Sequence, residues 1–280
     1  MNVSFAQQIV FDFERFKSET PLIGKGSGGS VYKVNHNHKA MALKIVTLCT
    51  TGDQNKIENE LILQKICHPN IIQYHLHFYY QNNAFILLEL CHSDSLYDHL
   101  VKEKKFPDQK IASFVLQISS ALEYLHNNLL IHRDIKLENI LLTQDLSTVK
   151  LCDFGFCVQL LKHPETQKIM KCRDQCGSMQ YVAPEILLGH DYDFSVDMWS
   201  FGIVIFSMFH GYLPFSRFQN CSRSKFVQHI LSLDCKFSEL ITPLFRQFIL
   251  SFLAISPICR IQAPNVKSHS WLTSFFQKAH

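Results

Sequence analysis

The chain lacks the marks of several broad protein classes. No basic block is longer than Lys102-Glu103-Lys104-Lys105 and the formal net charge is only +3, so no nucleic-acid partner is expected. Ten cysteines are present but none form a C-x-x-C pair. Cys172 and Cys176, with His163 upstream, come closest, and zinc would still need a fourth ligand and a second close pair. Scattered thiols suit a reducing compartment, so an intracellular protein, cytoplasmic or nuclear, is expected. The longest apolar run, Phe201 to Phe209, is about half of what spans a bilayer. It predicts a buried helix, and no membrane partner. The opening MNVSFAQQIVFDFERF carries Asp12 and Glu14 and no basic start, unlike a secretory signal. Asn2 stands where myristoylation needs glycine. Internal repeats and low-complexity tracts are absent as well.

What is present is apolar. Hydrophobic residues make up 47% of 280 and charged residues 18%, enough for one large domain or two lobes with a cleft between them. Gly24, Gly26 and Gly29 spell G-x-G-x-x-G, a pattern shared by two phosphate-binding devices. One opens a helix in a dinucleotide-binding fold. The other is a hairpin lid. Here Ser30-Val31-Tyr32-Lys33-Val34 follows, with β-branched and aromatic residues that predict a strand, and so a hairpin.

Ala40 to Val46 reads as a buried strand interrupted by Lys44, a costly arrangement unless the ammonium meets an anion. Ile57 to Ile66 has helical spacing and stops at Cys67-His68-Pro69-Asn70. Ile71–Tyr80 and Ala84–Leu90 read as strands around the turn Gln81-Asn82-Asn83. Beyond Cys91 the period becomes helical, through Ile111, Phe114, Val115, Ile118, Leu122 and Leu125. An α+β chain is predicted, with a mainly β segment over residues 1–91 and a mainly α segment over residues 92–280.

The remaining motifs come in a specific order. His132-Arg133-Asp134-Ile135-Lys136-Leu137-Glu138-Asn139 is followed by Asp153-Phe154-Gly155, then Ala183-Pro184-Glu185, then Asp197-Met198-Trp199-Ser200-Phe201-Gly202. Behind a glycine loop and a strand lysine, this series resembles the eukaryotic protein kinases, from about Leu22 to Leu272. D-x-K-x-x-N looks like the serine/threonine type. Cys176 to Glu185 and Ser268-His269-Ser270-Trp271-Leu272 look like the calcium/calmodulin-dependent, checkpoint and Aurora-type kinases.

The resemblance implies a two-lobed fold: a small mainly β N-lobe with one main helix, a larger mainly α C-lobe, and an ATP cleft between them. It implies a transferase that moves the ATP γ-phosphate to Ser/Thr hydroxyls of protein substrates, as an expected monomer. Gly24, Gly26 and Gly29 would cover the phosphates, and Lys44 would bind them. Asp153 and Asn139 would hold Mg²⁺. Asp134 would orient the hydroxyl and accept its proton, and Lys136 would steady the γ-phosphate. Ile23, Val31, Ala42 and Leu141 would sandwich adenine, with Leu88 as gatekeeper and Glu89-Leu90-Cys91 as hinge. Glu185 would pair with Arg260.

Several readings stay open on sequence alone. Family spacing counted back from His68 lands on Asn59, between Glu58 and Glu60. A one-residue deletion makes Glu60 the partner of Lys44, but then Gln64 falls where an apolar residue is expected; otherwise the pair is missing and a neighbour substitutes. Cys152 is either an apolar filler or a thiol activated by Lys44. Glu138 matches a position that receives basic residues of a substrate, while two companion acids are replaced by Ser95 and Ser207. Asp174 occupies the usual activation-segment phosphosite, which implies activity without phosphorylation. The alternative function is a pseudokinase-type binding scaffold without turnover.

Overall fold

The glycine-rich segment continues as a strand. In the computed structural model, which describes residues 5–11, 13–26, 28–218 and 221–276, β1 (Leu22–Gly26) and β2 (Gly29–His36) form an antiparallel hairpin. Asn2 and Asp12, which bear on the N-terminal expectations, lie outside the described residues. β3 (Lys39–Thr47), β4 (Tyr74–Tyr80) and β5 (Asn83–Glu89) complete an antiparallel sheet of order β1-β2-β3-β5-β4. Two helices precede it, α1 (Phe5–Phe11) and α2 (Phe13–Glu19). Ile9, Phe5, Phe13 and Phe16 pack on Tyr32, Val34, Met41, Leu43, Ile45, Phe85 and Leu87. Side chains alternate along a strand, so this layer fixes one face of β3 and turns Ala42 and Lys44 to the other.

The helix expected from Ile57 begins earlier, as α3 (Thr51–Glu60). Thr50 and Asp53 cap it reciprocally: the Thr50 side chain accepts from the Asp53 N–H, and the Asp53 carboxylate accepts from the Thr50 N–H at 2.9 Å. That satisfies donors the first turn leaves open. After Glu60 the chain tightens into a 3₁₀ turn, Leu61–Lys65. β4 starts at Tyr74 rather than Ile71, because Ile71 bridges to Leu151 and Asn70 bonds Val149 and Leu151.

The chain divides into two units, 1–93 with 141–155, and 94–140 with 156–280. The second begins with α4 (Leu96–Glu103) and α5 (Asp108–Asn127). The short strands β6 (Leu130–Ile131), β7 (Ile140–Leu142), β8 (Val149–Leu151) and β9 (Val158–Gln159) pair as β6–β9 and β7–β8. α6 (Pro184–Leu187), α7 (Ser195–His210), α8 (Arg223–Leu231), α9 (Pro243–Phe252), α10 (Ala263–Val266) and α11 (Ser270–Phe276) follow. α7 contains the run Phe201–Phe209 and is buried along most of its length. Among the described residues, no helix is long and apolar enough to cross a membrane.

Candidate active site

In the first unit, Lys44 leaves β3 opposite Val31 of β2 and Ile86 of β5. Its Nζ lies 2.7 Å from both carboxylate oxygens of Glu60 and 3.3 Å from Asp153 Oδ1. Burial works against the ammonium charge, but Glu60 and Asp153 outweigh it and raise Lys44 above the usual lysine range. Glu60 is buried, with 3% of its surface exposed. Asn59, where family spacing would put the acid, instead donates its side-chain N–H to the Gly155 carbonyl at 3.1 Å.

The 3₁₀ turn explains the apparent misfit at Gln64. On an α-helix the residue four beyond Glu60 shares its face; in a 3₁₀ turn, with three residues per turn, the residue three beyond does. Leu63 is accordingly buried and Gln64 exposed.

The glycine loop has one position where only glycine fits. Gly29 has φ +114°, and a Cβ there would sit 2.3 Å from the Ile45 carbonyl oxygen. Gly28, which the G-x-G-x-x-G pattern passes over, lies against the charged cluster: a Cβ would be 3.5 Å from Lys44 Nζ and 3.7 Å from Asp153 Oδ2. Nearby, Ile23, Gly24, Val31 and Leu141 are half-buried, Gly26 is exposed, and Ala42, Leu88 and Cys91 are buried. The Glu89 carboxylate accepts the Gln73 N–H at 2.6 Å and pairs with Lys150 at 2.8 Å. The Cys91 carbonyl accepts from Gln144 at 2.6 Å, and the His92 N–H bonds Leu142 at 2.8 Å. Residues 89–92 are thus tied to β7, β8 and the turn between them. Burial pushes the Cys152 thiol well above its usual range, Asp153 adds to this, and the opposing pull of Lys44 is smaller. Lys44 does not make Cys152 a thiolate.

In the second unit, Asp134 is buried with all its carboxylate geometry set by neighbours. Its Oδ1 accepts from the Ser178 N–H at 3.0 Å and hydroxyl at 2.9 Å; its Oδ2 accepts from Lys136 Nζ at 2.7 Å and Asn139 Nδ2 at 2.9 Å. Ser178 therefore faces the loop that carries Asp134. Asp197, at the start of α7, accepts from the His132 and Arg133 N–H groups at 3.0 and 2.9 Å and pairs with His126 at 3.0 Å. Burial raises its pKa, but the His126 bond and the flanking donors prevail and hold it below the usual carboxylate range. The sequence motif flagged Asp197 without revealing that it splints the loop carrying Asp134.

Arg133, at φ 68°, donates Nε–H to the Phe156 carbonyl at 2.6 Å. Its Nη1 reaches Tyr192 Oη at 3.0 Å and Asp174 at 3.3 Å, and Tyr192 donates to the Asp174 carbonyl at 2.8 Å. The Asp174 side chain remains 77% exposed. Glu185 and Arg260 form a buried two-pronged pair at 2.5 and 2.7 Å. Ser95 and Ser207 turn inward: Ser95 caps α4, and Ser207 donates to the Ile203 carbonyl at 2.8 Å. Glu138 is exposed and accepts from Tyr181 Oη at 3.3 Å.

Comparison with known proteins follows the same outline. The protein kinase domain family matches residues 18–272. The chain is similar to Aurora kinase B of Danio rerio, with 30% identity over 269 residues, covering 94% of this chain and 80% of that protein. It is similar to an Aurora kinase of Debaryomyces hansenii, with 33% identity over 93% of this chain and 62% of that protein. A RAC family serine/threonine-protein kinase homolog of Dictyostelium discoideum is 32% identical over 95% of this chain and 59% of its own length. The chain thus spans about three fifths of the last two relatives.

Proposed function

The chain belongs to the protein kinase family, and from that premise we propose how its residues transfer the γ-phosphoryl group of ATP to Ser/Thr hydroxyls of protein substrates. The kinase fold and the serine/threonine names among the relatives support the reaction class. Phosphoryl transfer asks little covalent chemistry of a protein; positioning and charge neutralisation do most of the work.

The observation that carries the reading is Asp134, buried and oriented by four donors. It orients the substrate hydroxyl and takes its proton as the oxygen attacks. Lys136 steadies charge on the transferring group. In the other unit, Lys44 binds the α/β-phosphates, kept in position by Glu60. Gly24, Gly26 and Gly29 let the backbone approach the phosphates, while Ile23, Val31, Ala42 and Leu141 hold adenine against the Glu89–Cys91 hinge. Mg²⁺ is typical of the family, and each unit offers an oxygen of the kind it takes: in the first, Asp153 presents a carboxylate one third exposed; in the second, Asn139 turns its N–H₂ toward Asp134, which makes its oxygen the acceptor end. Hard oxygens fit that cation. When bound, it supplies charge neutralisation at the phosphates. All ten cysteines are free thiols, which supports a reducing, intracellular setting.

The test is turnover of labelled ATP with Mg²⁺ and a mixed Ser/Thr peptide library. Turnover lost in Asp134→Asn, with the fold unchanged, is expected; equal incorporation by the variant, or none by the unmodified chain, overturns the enzyme reading in favour of a binding scaffold.

The same proposal extends to regulation. Phosphorylation of an activation segment places charge and acceptor oxygens against a catalytic-loop arginine. Asp174 offers a permanent carboxylate to Arg133 at 3.3 Å, with one charge where phosphate carries roughly 1.5 to 2. Phosphatase-treated protein, phosphate-free by mass spectrometry, is expected to remain substantially active, and Asp174→Asn to lose about three- to tenfold in kcat, consistent with an exposed charge-assisted contact. Activity that appears only after phosphorylation of Thr166 or Ser178 removes Asp174 as the switch residue.

A further inference from the structure

The helix that carries Glu60 has little apolar hold on its surroundings. Of the residues of α3, only Ile57 and Glu60 are buried. Its N-terminus is secured by the Thr50–Asp53 box. Its C-terminal end is held by two polar contacts made from adjacent residues: Glu60 to Lys44 at 2.7 Å, and Asn59 Nδ2 to the Gly155 carbonyl at 3.1 Å. Gly155 runs close to the helix, since a Cβ added there would lie 3.6 Å from Lys56 Cβ. Gly155 is two residues beyond Asp153, whose Oδ1 lies 3.3 Å from Lys44 Nζ. The contacts close a ring: Lys44, Glu60, Asn59, Gly155, Asp153 and back to Lys44.

We infer that Asn59 is a positioning residue that sets the carboxylate of Asp153 by holding the backbone of the Asp-Phe-Gly turn to α3. Asp153 adopts φ 60°, a left-handed conformation that is uncommon for L-residues but open to Asp and Asn, so contacts on either side of it help decide whether it is kept. Lys44 restrains the side chain from one side. The Asn59 bond restrains the main chain beyond it. A carboxamide suits this task and a carboxylate does not, because the Gly155 carbonyl needs a donor. Family spacing placed the acid at this position; here the two tasks, pairing with lysine and holding the turn, fall on neighbouring residues of one helix.

The inference deepens the proposed role of Asp153 in holding Mg²⁺ and rests on it. The test measures ADP binding by calorimetry with and without Mg²⁺, in the full chain and in Asn59→Asp, Asn59→Leu and Asn59→Gln. Both Asn59→Asp and Asn59→Leu are expected to weaken the Mg²⁺-dependent part of ADP binding, and to lower kcat, by about five- to tenfold, the scale of one hydrogen bond. Metal-free ADP affinity and peptide KM should stay within about twofold, and Tm within about 2 °C. Asn59→Gln keeps the donor and should recover most of the loss. Wild-type Mg²⁺ response in both variants overturns the inference, as does a loss that tracks a falling Tm or weakens metal-free ADP binding equally. If the unmodified chain binds ADP equally with and without Mg²⁺, the reading of Asp153 fails first and this inference fails with it.

Discussion

Asp153→Asn is expected to lower kcat at least about a thousandfold, roughly 4 kcal/mol of transition-state stabilisation, while the folded protein survives. The catalytic loss is expected because the substitution removes a full negative charge from the carboxylate proposed to hold Mg²⁺. Survival of the fold follows from three observations. The Asp153 side chain is one third exposed, so it adds little to core packing. Its φ of 60° is a conformation asparagine adopts readily. Lys44 has a second carboxylate partner, Glu60 at 2.7 Å, which the substitution does not touch. Thermal unfolding should therefore shift by no more than about 2 °C. Stopped-assay turnover together with differential scanning calorimetry reads both quantities. Activity within about tenfold of the parent would falsify the metal-holding role.

Arg260→Met should have the opposite profile, a large loss of stability. The guanidinium makes two bonds to Glu185 and further bonds to the carbonyls of Ala254 at 2.8 Å, Ser195 at 3.1 Å and Ile255 at 3.2 Å. It also lies 5.1 Å from the Trp199 ring centroid. Methionine restores the packing volume but leaves a buried carboxylate alone. Breaking a buried pair from one side costs about 3–5 kcal/mol, or roughly 5–9 °C in Tm for a chain of this size. Adding Glu185→Met to Arg260→Met removes the stranded charge, so the double variant should be more stable than Arg260→Met alone. A single variant that melts within about 2 °C of the parent shows that the pair does not carry this stability.

The motifs that carry chemistry were legible because each depends on residue type and short spacing. Lys44 inside an apolar strand announced a nearby anion, and two carboxylates lie against it. Glu185 and Arg260 meet as the resemblance implied. What hid from the sequence was geometry that spacing does not encode. The choice between Asn59 and Glu60 turned on whether Leu61–Lys65 winds as an α-helix or a 3₁₀ turn, and local propensity does not distinguish these. The start of α3 was written in Thr50-Thr51-Gly52-Asp53 as a capping box, but Gly52 masks it. Leu141–Gly155 belongs with the first unit, and no periodicity reports such a return. The N-terminal residues gave only reasons against targeting, although they include the apolar contacts Ile9, Phe13 and Phe16.

Those two N-terminal helices bear on how the protein is made. They leave the ribosome well before some of their partners, which include Phe85 and Leu87 on β5. At about 5–20 residues per second, several seconds of synthesis separate the two, and through that interval the aromatic face of α1 and α2 has only β2 and β3 to cover. The wait is longer for the charged cluster. Lys44 and Glu60 are synthesised early, but Asp153 and Gly155 arrive only after α4 and α5 of the other unit. The first unit cannot complete itself on the ribosome until Gly155 has been added, so the order of translation keeps the Lys44–Glu60–Asp153 cluster unfinished until the segment carrying Asp134 has already been made.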